Sequence, residues 1–237
     1  MIRTTSVTPH MRRVTLGGPQ LADFPNDADG GYVKLRLGMQ ENSDKPLVRT
    51  YTVRRFDAEA GELDIDFVVH ESEGPAANWA ASCVPGDEIL VGGPGPRKSL
   101  DADADWFLLV GDMSALPAIS VNLERLRRDA VGYALLEVIH ADDRQNIDAP
   151  PGVHIDWIVN PTPEERNQVL LDAVEAVPWK VGRPHVWAAS EFSQSLAIRG
   201  FLRSCHGVTR DQMYVSSYWQ IGQSEDGHKI SKRRAAS

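Results

Sequence analysis

Cysteine is almost missing from this chain: Cys83 and Cys205 are its only two, far apart. Neither stands at a metal-ligand spacing, so a disulfide scaffold and a structural zinc site are excluded, and both read as buried free thiols. No His, Cys and carboxylate set falls at ligand spacing, so no resident metal is expected. Long apolar runs are also absent. None approaches the roughly 20 residues of a membrane helix, and Met1-Ile2-Arg3-Thr4-Thr5 lacks the apolar core of a signal peptide. A cytoplasmic location without membrane insertion is the expectation. Positive charge is in deficit, with 25 Lys and Arg against 33 Asp and Glu and a formal charge of −8. That balance argues against general nucleic-acid affinity. The G-x-G-x-x-G pattern is lacking too, which removes a conventional dinucleotide fingerprint.

What is present is the composition of a soluble globular protein, 42% hydrophobic and 24% charged. The length suits one large domain or two of about 100–130 residues each. In the first part, residues 11–16 and 32–37 alternate apolar and polar, the period of half-buried strands. Gly17-Gly18-Pro19 and Asp29-Gly30-Gly31 punctuate them. Residues 48–56, 62–70 and 88–91 read as further strands, which together predict a small antiparallel β-barrel. Gly74-Pro75-Ala76-Ala77-Asn78-Trp79 opens a helix with proline in its first turn. Free N–H groups beside small side chains can bind a diphosphate there, or the alanines can serve close packing alone.

Gly92-Gly93-Pro94-Gly95-Pro96 reads as a stiff hinge, after which the period changes. Residues 106–110 form a continuous apolar run, the mark of a strand covered on both faces. Strands at 134–139, 153–159, 186–189 and 213–216 alternate with helices at 119–128, 163–177 and 192–205. That order predicts a doubly wound parallel sheet. The expected domains are 1–102 and 103–237. Ligands of such sheets sit beyond the carboxyl strand ends, which is where Gly111-Asp112-Met113-Ser114-Ala115 falls.

The most informative stretch is Val48-Arg49-Thr50-Tyr51-Thr52-Val53. On a strand Arg49, Tyr51 and Val53 share one face. A guanidinium can clamp a phosphate with two parallel hydrogen bonds, a tyrosine ring can lie against a planar heterocycle, and Thr52 adds a hydroxyl. An amphipathic strand with a surface arginine is the plainer alternative. Near the end, Lys229, Lys232, Arg233 and Arg234 crowd together, either as a solvated tail or, with Arg97 and Lys98, as a basic rim for an anionic substrate.

Taken in order, Met11-Arg12-Arg13-Val14-Thr15-Leu16, Arg49-Thr50-Tyr51-Thr52, Asp66-Phe67-Val68-Val69-His70, Gly74-Pro75-Ala76-Ala77-Asn78-Trp79, the turn from Asp112 to Ala118 and Tyr218-Trp219 resemble one family. It is the siderophore-interacting proteins, ferric-siderophore reductases of the ferredoxin-reductase-like class. The resemblance implies an FAD-binding barrel followed by an NAD(P)H-binding α/β domain. It implies that Arg49 contacts FAD phosphates, with Thr50 in the same motif. Tyr51 would pack on the flavin or ribityl chain, and Thr52 would bond near N5. Asp66, Phe67, Val68 and His70 would run along the cofactor; Gly74, Ala76 and Ala77 would meet its diphosphate, with Trp79 and Trp219 close by. Gly111, Asp112, Ser114, Ala115 and Glu191 would receive NADH or NADPH.

Two departures stand near the expected nicotinamide site, Ser190 and Ser217, where the family commonly carries glycine. The choice of nucleotide is left open between Asp142 and Asp143, which favour a free 2′-hydroxyl, and Arg144 or His140, which could accept a phosphate. The implied chemistry is hydride transfer to flavin N5, then single electrons to chelated Fe(III), releasing Fe(II) from a ferric siderophore. A related flavin reductase serving a protein acceptor, or a non-enzymatic siderophore-binding module, are the alternatives. A monomer is the default expectation.

Overall fold

Alternating residues in the first part of the chain fold as two antiparallel sheets, and the apolar runs that follow fold as one parallel sheet. The computed structural model describes residues 1–40, 44–69 and 74–236. Two units meet in sequence between Lys98 and Ser99.

In unit 1, β1 (Arg3–Thr8), β2 (Met11–Gly17), β6 (Glu62–Val68) and β5 (Arg55–Asp57) form one sheet in the order β1-β2-β6-β5. The second sheet has the order β4-β3-β7, from β4 (Pro46–Thr52), β3 (Tyr32–Met39) and β7 (Leu90–Gly95). Inward residues of both sheets, among them Val14, Val33, Leu35, Val53, Leu63, Ile65 and Phe67, make one core closed by Ala76 and Ala80 of α1 (Pro75–Ser82). On the β2–β6 pair, Arg13 donates from Nε and Nη2 to both oxygens of Asp66 at 2.6 and 2.8 Å. Strand β1 escapes pattern reading because Arg-Thr-Thr-Ser has no apolar alternation; pairing with β2 alone makes it a strand.

Two expectations for this unit need correcting. Residues 48–56 are not one strand. The N–H of Val53 donates to Gly31 O at 2.8 Å, and the N–H of Arg54 donates to Asp64 O at 2.9 Å, so the chain changes sheets between these two residues. The glycine/proline stretch is not only a hinge. Gly92 to Gly95 belong to β7, an outer strand where proline removes no ladder hydrogen bond. Gly95 lies under the Tyr32 ring, where a Cβ would sit 2.0 Å from Cζ.

In unit 2, β8 (Trp106–Gly111), β9 (Val131–Val138), β10 (Gly152–Val159), β11 (Pro184–Glu191) and β12 (Met213–Trp219) run parallel in the order β10-β9-β8-β11-β12. Every residue of β8 and β11 is buried. Trp106, Leu108, Val110, Val186 and Ala188 pack with Leu170 and Val174 of α3 (Val169–Glu175) and with Ile198 and Leu202 of α4 (Phe192–His206). Helix α2 (Leu116–Glu124) follows β8, earlier than the expected 119–128. Helix α3 is much shorter than the expected 163–177. Pro161 and Pro163 flank a turn, Glu165 N–H donates to Thr162 O, and Asn167 Oδ1 accepts from Val169 N–H. Glu164 and Glu165 therefore precede the helix.

The basic tail is a helix, α5 (Glu225–Ala236), whose Lys229, Arg233 and Arg234 are exposed. Cys83 is buried as expected, but Cys205 is exposed near the end of α4. No helix among the described residues is long and apolar enough to cross a membrane.

Candidate functional site

The unit 1 site is assembled by β4, β6 and the start of α1. Register sets Arg49 opposite Leu35 and Tyr51 opposite Val33. Arg49 is half-buried and donates from Nη1 to Val48 O at 3.0 Å. Thr50 is exposed, whereas Tyr51 and Thr52 are half-buried. The Tyr51 and Phe67 ring centroids are 4.3 Å apart, and those of Phe67 and Trp79 are 5.7 Å apart. Phe67 is fully buried while its two partners are only partly covered. An aromatic file thus joins the Arg49 strand to α1 through β6.

At the head of that helix Gly74 is the N-cap, Pro75 occupies the first turn, and no side chain among the described residues caps it. The first-turn N–H groups of Ala76 and Ala77 point from an end that carries partial positive charge. The side chains there are too small to obstruct an approaching anion. Asp66 is 5% exposed and bonded by Arg13 through both oxygens, so only its backbone is available to a ligand. Val68 ends β6 half-buried. His70 lies outside the described residues. Arg97 donates to Asp29 O at 2.8 Å and pairs with Asp27, which ties it to the β2–β3 connection; Lys98 is exposed.

The unit 2 site lies at the carboxyl strand ends. Gly111 closes β8, and a Cβ there would meet Ile119 Cδ1 at 2.6 Å and Ala115 Cβ at 2.8 Å, so only glycine lets α2 approach this closely. Asp112 is 6% exposed. Its Oδ1 accepts from Ser114 N–H at 2.9 Å and Ser114 Oγ–H at 2.5 Å, and its Oδ2 accepts from Trp219 Nε1–H at 2.7 Å. Burial pushes the Asp112 carboxyl above the usual carboxylate range, opposed by these donors. Trp219 and Asp112, expected at different cofactors, are thus hydrogen-bonded across 107 residues. Ala115 is fully buried at the N-cap of α2.

Glu191 works inside the fold. Its carboxylate caps α4, accepting from Ser193 N–H at 2.6 Å, Gln194 N–H at 3.3 Å and Ser193 Oγ–H, and it also accepts from Ile221 N–H at 3.3 Å. Asp143 is fully buried and closes its own turn on His140 N–H, while Asp142 and Arg144 are exposed. The hydroxyls of Ser190 and Ser217 are both engaged, with Ser195 Oγ at 3.0 Å and His228 Nε2 at 2.7 Å. Lys232, a candidate substrate contact, directs its ammonium group to β12: Nζ donates to Ser216 Oγ at 2.6 Å and Ser217 O at 3.0 Å. Lys229, Arg233 and Arg234 are exposed on α5.

Sequence reading missed Glu137. It sits 3% exposed near the end of β9, taking hydrogen bonds from Asn160 Nδ2 at 2.7 Å and Gln194 Nε2 at 3.4 Å. Burial, then the nearby Asp112 carboxylate, raises its pKa to about 7. Its signal was a lone acid inside the apolar run Ala134-Leu135-Leu136-Glu137-Val138.

Known proteins align with the chain over nearly its full length. A family model described as siderophore-interacting protein matches residues 104–222, and one described as siderophore-interacting FAD-binding domain matches residues 1–44 and 36–98. The chain is 36% identical over 245 residues to the ferric vibriobactin reductase ViuB of Vibrio cholerae, covering 96% of this chain and 90% of that one. The crystal structure of the siderophore-interacting protein SipS from Aeromonas hydrophila superposes with a TM-score of 0.87 at 31% identity, over 99% of this chain and 95% of that one. A siderophore utilization protein from T. fusca gives 0.84 at 35% identity, over 96% and 94%.

Proposed function

The chain belongs to the siderophore-interacting protein family, and on that premise we propose that it is an FAD-containing, NAD(P)H-dependent reductase of ferric siderophores. One observation carries the reading: Arg49, the aromatic file Tyr51–Phe67–Trp79 and the start of α1, which no described side chain caps, belong to one unit. These residues fit FAD, since a guanidinium, a partly open ring and free N–H donors beside small side chains answer its phosphates and its flat ring system. When bound, FAD supplies the redox chemistry, taking two electrons from a nicotinamide and yielding them singly to ferric iron.

The chain's own residues bind and orient. Arg49 neutralises phosphate charge, and the N–H groups of Ala76 and Ala77 donate to diphosphate oxygens. Tyr51 covers a ring face or the ribityl chain, with the Thr52 hydroxyl beside it. In unit 2, the Gly111 to Ala115 turn stands at the carboxyl strand ends where a nicotinamide nucleotide would dock, held in shape by Asp112 and Ser114 bonding each other. Lys229, Arg233 and Arg234 offer positive charge to an anionic ferric chelate. Oxygen donors hold Fe(II) less tightly than Fe(III), so reduction loosens the chelate. We place this activity in a cytoplasmic monomer.

The test is anaerobic. The purified protein is expected to be yellow, to bleach with NADH or NADPH, and to regain colour with a ferric siderophore as Fe(II) appears in a ferrous trap. A colourless protein that takes up no flavin on soaking would overturn the reading, and the more efficient nucleotide identifies the co-substrate.

A further inference from the structure

Helix α5 is held to the sheet without a hydrophobic face. Its one large apolar side chain, Ile230, is 54% exposed, and among its described side chains only His228 is buried, at 5% exposure. A helix of 12 residues is marginal by itself in water. Its place therefore depends on polar anchors. His228 and Lys232 stand one turn apart on the same face and reach consecutive residues of β12. His228 Nε2 shares a hydrogen bond with Ser217 Oγ at 2.7 Å, and its ring meets Phe192 edge-on at 6.1 Å. Lys232 Nζ donates to Ser216 Oγ and to the carbonyl of Ser217.

That carbonyl belongs to the outer strand of the five-stranded sheet, which has a neighbour on one side only. Two residues earlier, Val215 O accepts from Arg199 Nη2–H at 2.7 Å. Lys232 as a whole is exposed, yet its ammonium is drawn in far enough that burial, and then Arg199, lowers its pKa.

We propose that Ser217, His228 and Lys232 are positioning residues, a latch that fixes α5 against β12 and so sets Lys229 and Arg233 in place for an anionic ferric chelate. Lys229 and Arg233 are again one turn apart, on the flank beside the latch, and both are exposed. Holding them in a fixed place removes ordering entropy from substrate binding and concentrates positive charge on a protein whose net charge is −8. Lys232 thus acts through α5 rather than by touching substrate. The proposal rests on the reductase reading above.

The experiment uses the full-length FAD-loaded protein with H228A, K232M and the conservative H228Q. Amide exchange is followed across α5, and kinetics are compared for ferric citrate and for the cationic acceptor hexaammineruthenium(III). In H228A and K232M, protection of α5 is expected to fall about tenfold and KM for ferric citrate to rise about tenfold. The kcat, and the rate with the ruthenium complex, are expected to stay within about twofold, and H228Q to keep most of the protection. K232M alters an exposed position, so it serves if H228A does not fold. Unchanged protection in both variants overturns the latch. Lost protection with unchanged KM overturns the positioning role while leaving the reductase reading standing. A wild-type protein that reduces the ruthenium complex but no ferric chelate overturns that reading, and the substrate role of α5 falls with it.

Discussion

The two units treat the start of a helix in opposite ways. In unit 1, α1 begins at Gly74 with no cap from a described side chain, and its Trp79 ends the aromatic file that runs through Phe67 to Tyr51. In unit 2, α4 is sealed by the Glu191 carboxylate, and the turn before α2 is closed by Asp112 bonding Ser114 and Trp219. Donors left open suit a resident anion, whereas donors already engaged make a firm scaffold. On the proposed function, that contrast matches a cofactor that stays and a co-substrate that must leave after each turnover.

Four changes break or sharpen that contrast, from the largest effect down. Glu137 is a buried acid of unit 2 whose charge opposes folding. Its folded pKa of about 7 exceeds the ordinary 4.5, so its contribution is fully present below about pH 4.5 and is lost as pH rises through about 7. Glu137→Gln should therefore remove a penalty of up to about 3 kcal/mol above neutrality. Urea midpoints at pH 5 and pH 8 check this: the wild type should gain stability in acid, and the variant should not. Arg49→Ala should weaken FAD binding about a hundredfold, read as flavin fluorescence on release, while apoprotein stability moves by no more than about 0.5 kcal/mol. A variant that keeps its colour through dilution removes Arg49 from the site.

Glu191→Ala should do the reverse, costing about 2 kcal/mol of stability through the lost cap while FAD stays bound. If flavin is lost at native conditions, the division between scaffold and site is wrong. Trp219→Phe should cost about 1 kcal/mol, and by removing a donor to the carboxylate it should raise the Asp112 pKa further. Its deficit in urea should be widest near pH 8 and shrink in acid.

Much of this was legible in the sequence, for reasons that differ by unit. The run Trp106-Phe107-Leu108-Leu109-Val110 announces a doubly covered strand because both faces of β8 are buried. Arg49 and Tyr51 stood out because a strand's period of two puts them on one face. What stayed hidden was long-range or cooperative. No local pattern marks the crossing at Val53 and Arg54, because its cause is Gly31 at the head of β3 and Asp64 in β6. The Asp112–Trp219 bond spans 107 residues. Helix α5 has too little apolar character to show a periodicity, and Glu137 was masked by its apolar neighbours.

The crossing at Val53 and Arg54 has a mechanical meaning. Adjacent residues are tied to different sheets, so the join has no spare length, and the strand bearing Arg49 and Tyr51 is as taut as a string between two pegs. An extra residue inserted within β4 would turn alternate side chains over, sending the guanidinium and the phenol to the wrong side together. At this seam the chain must keep count.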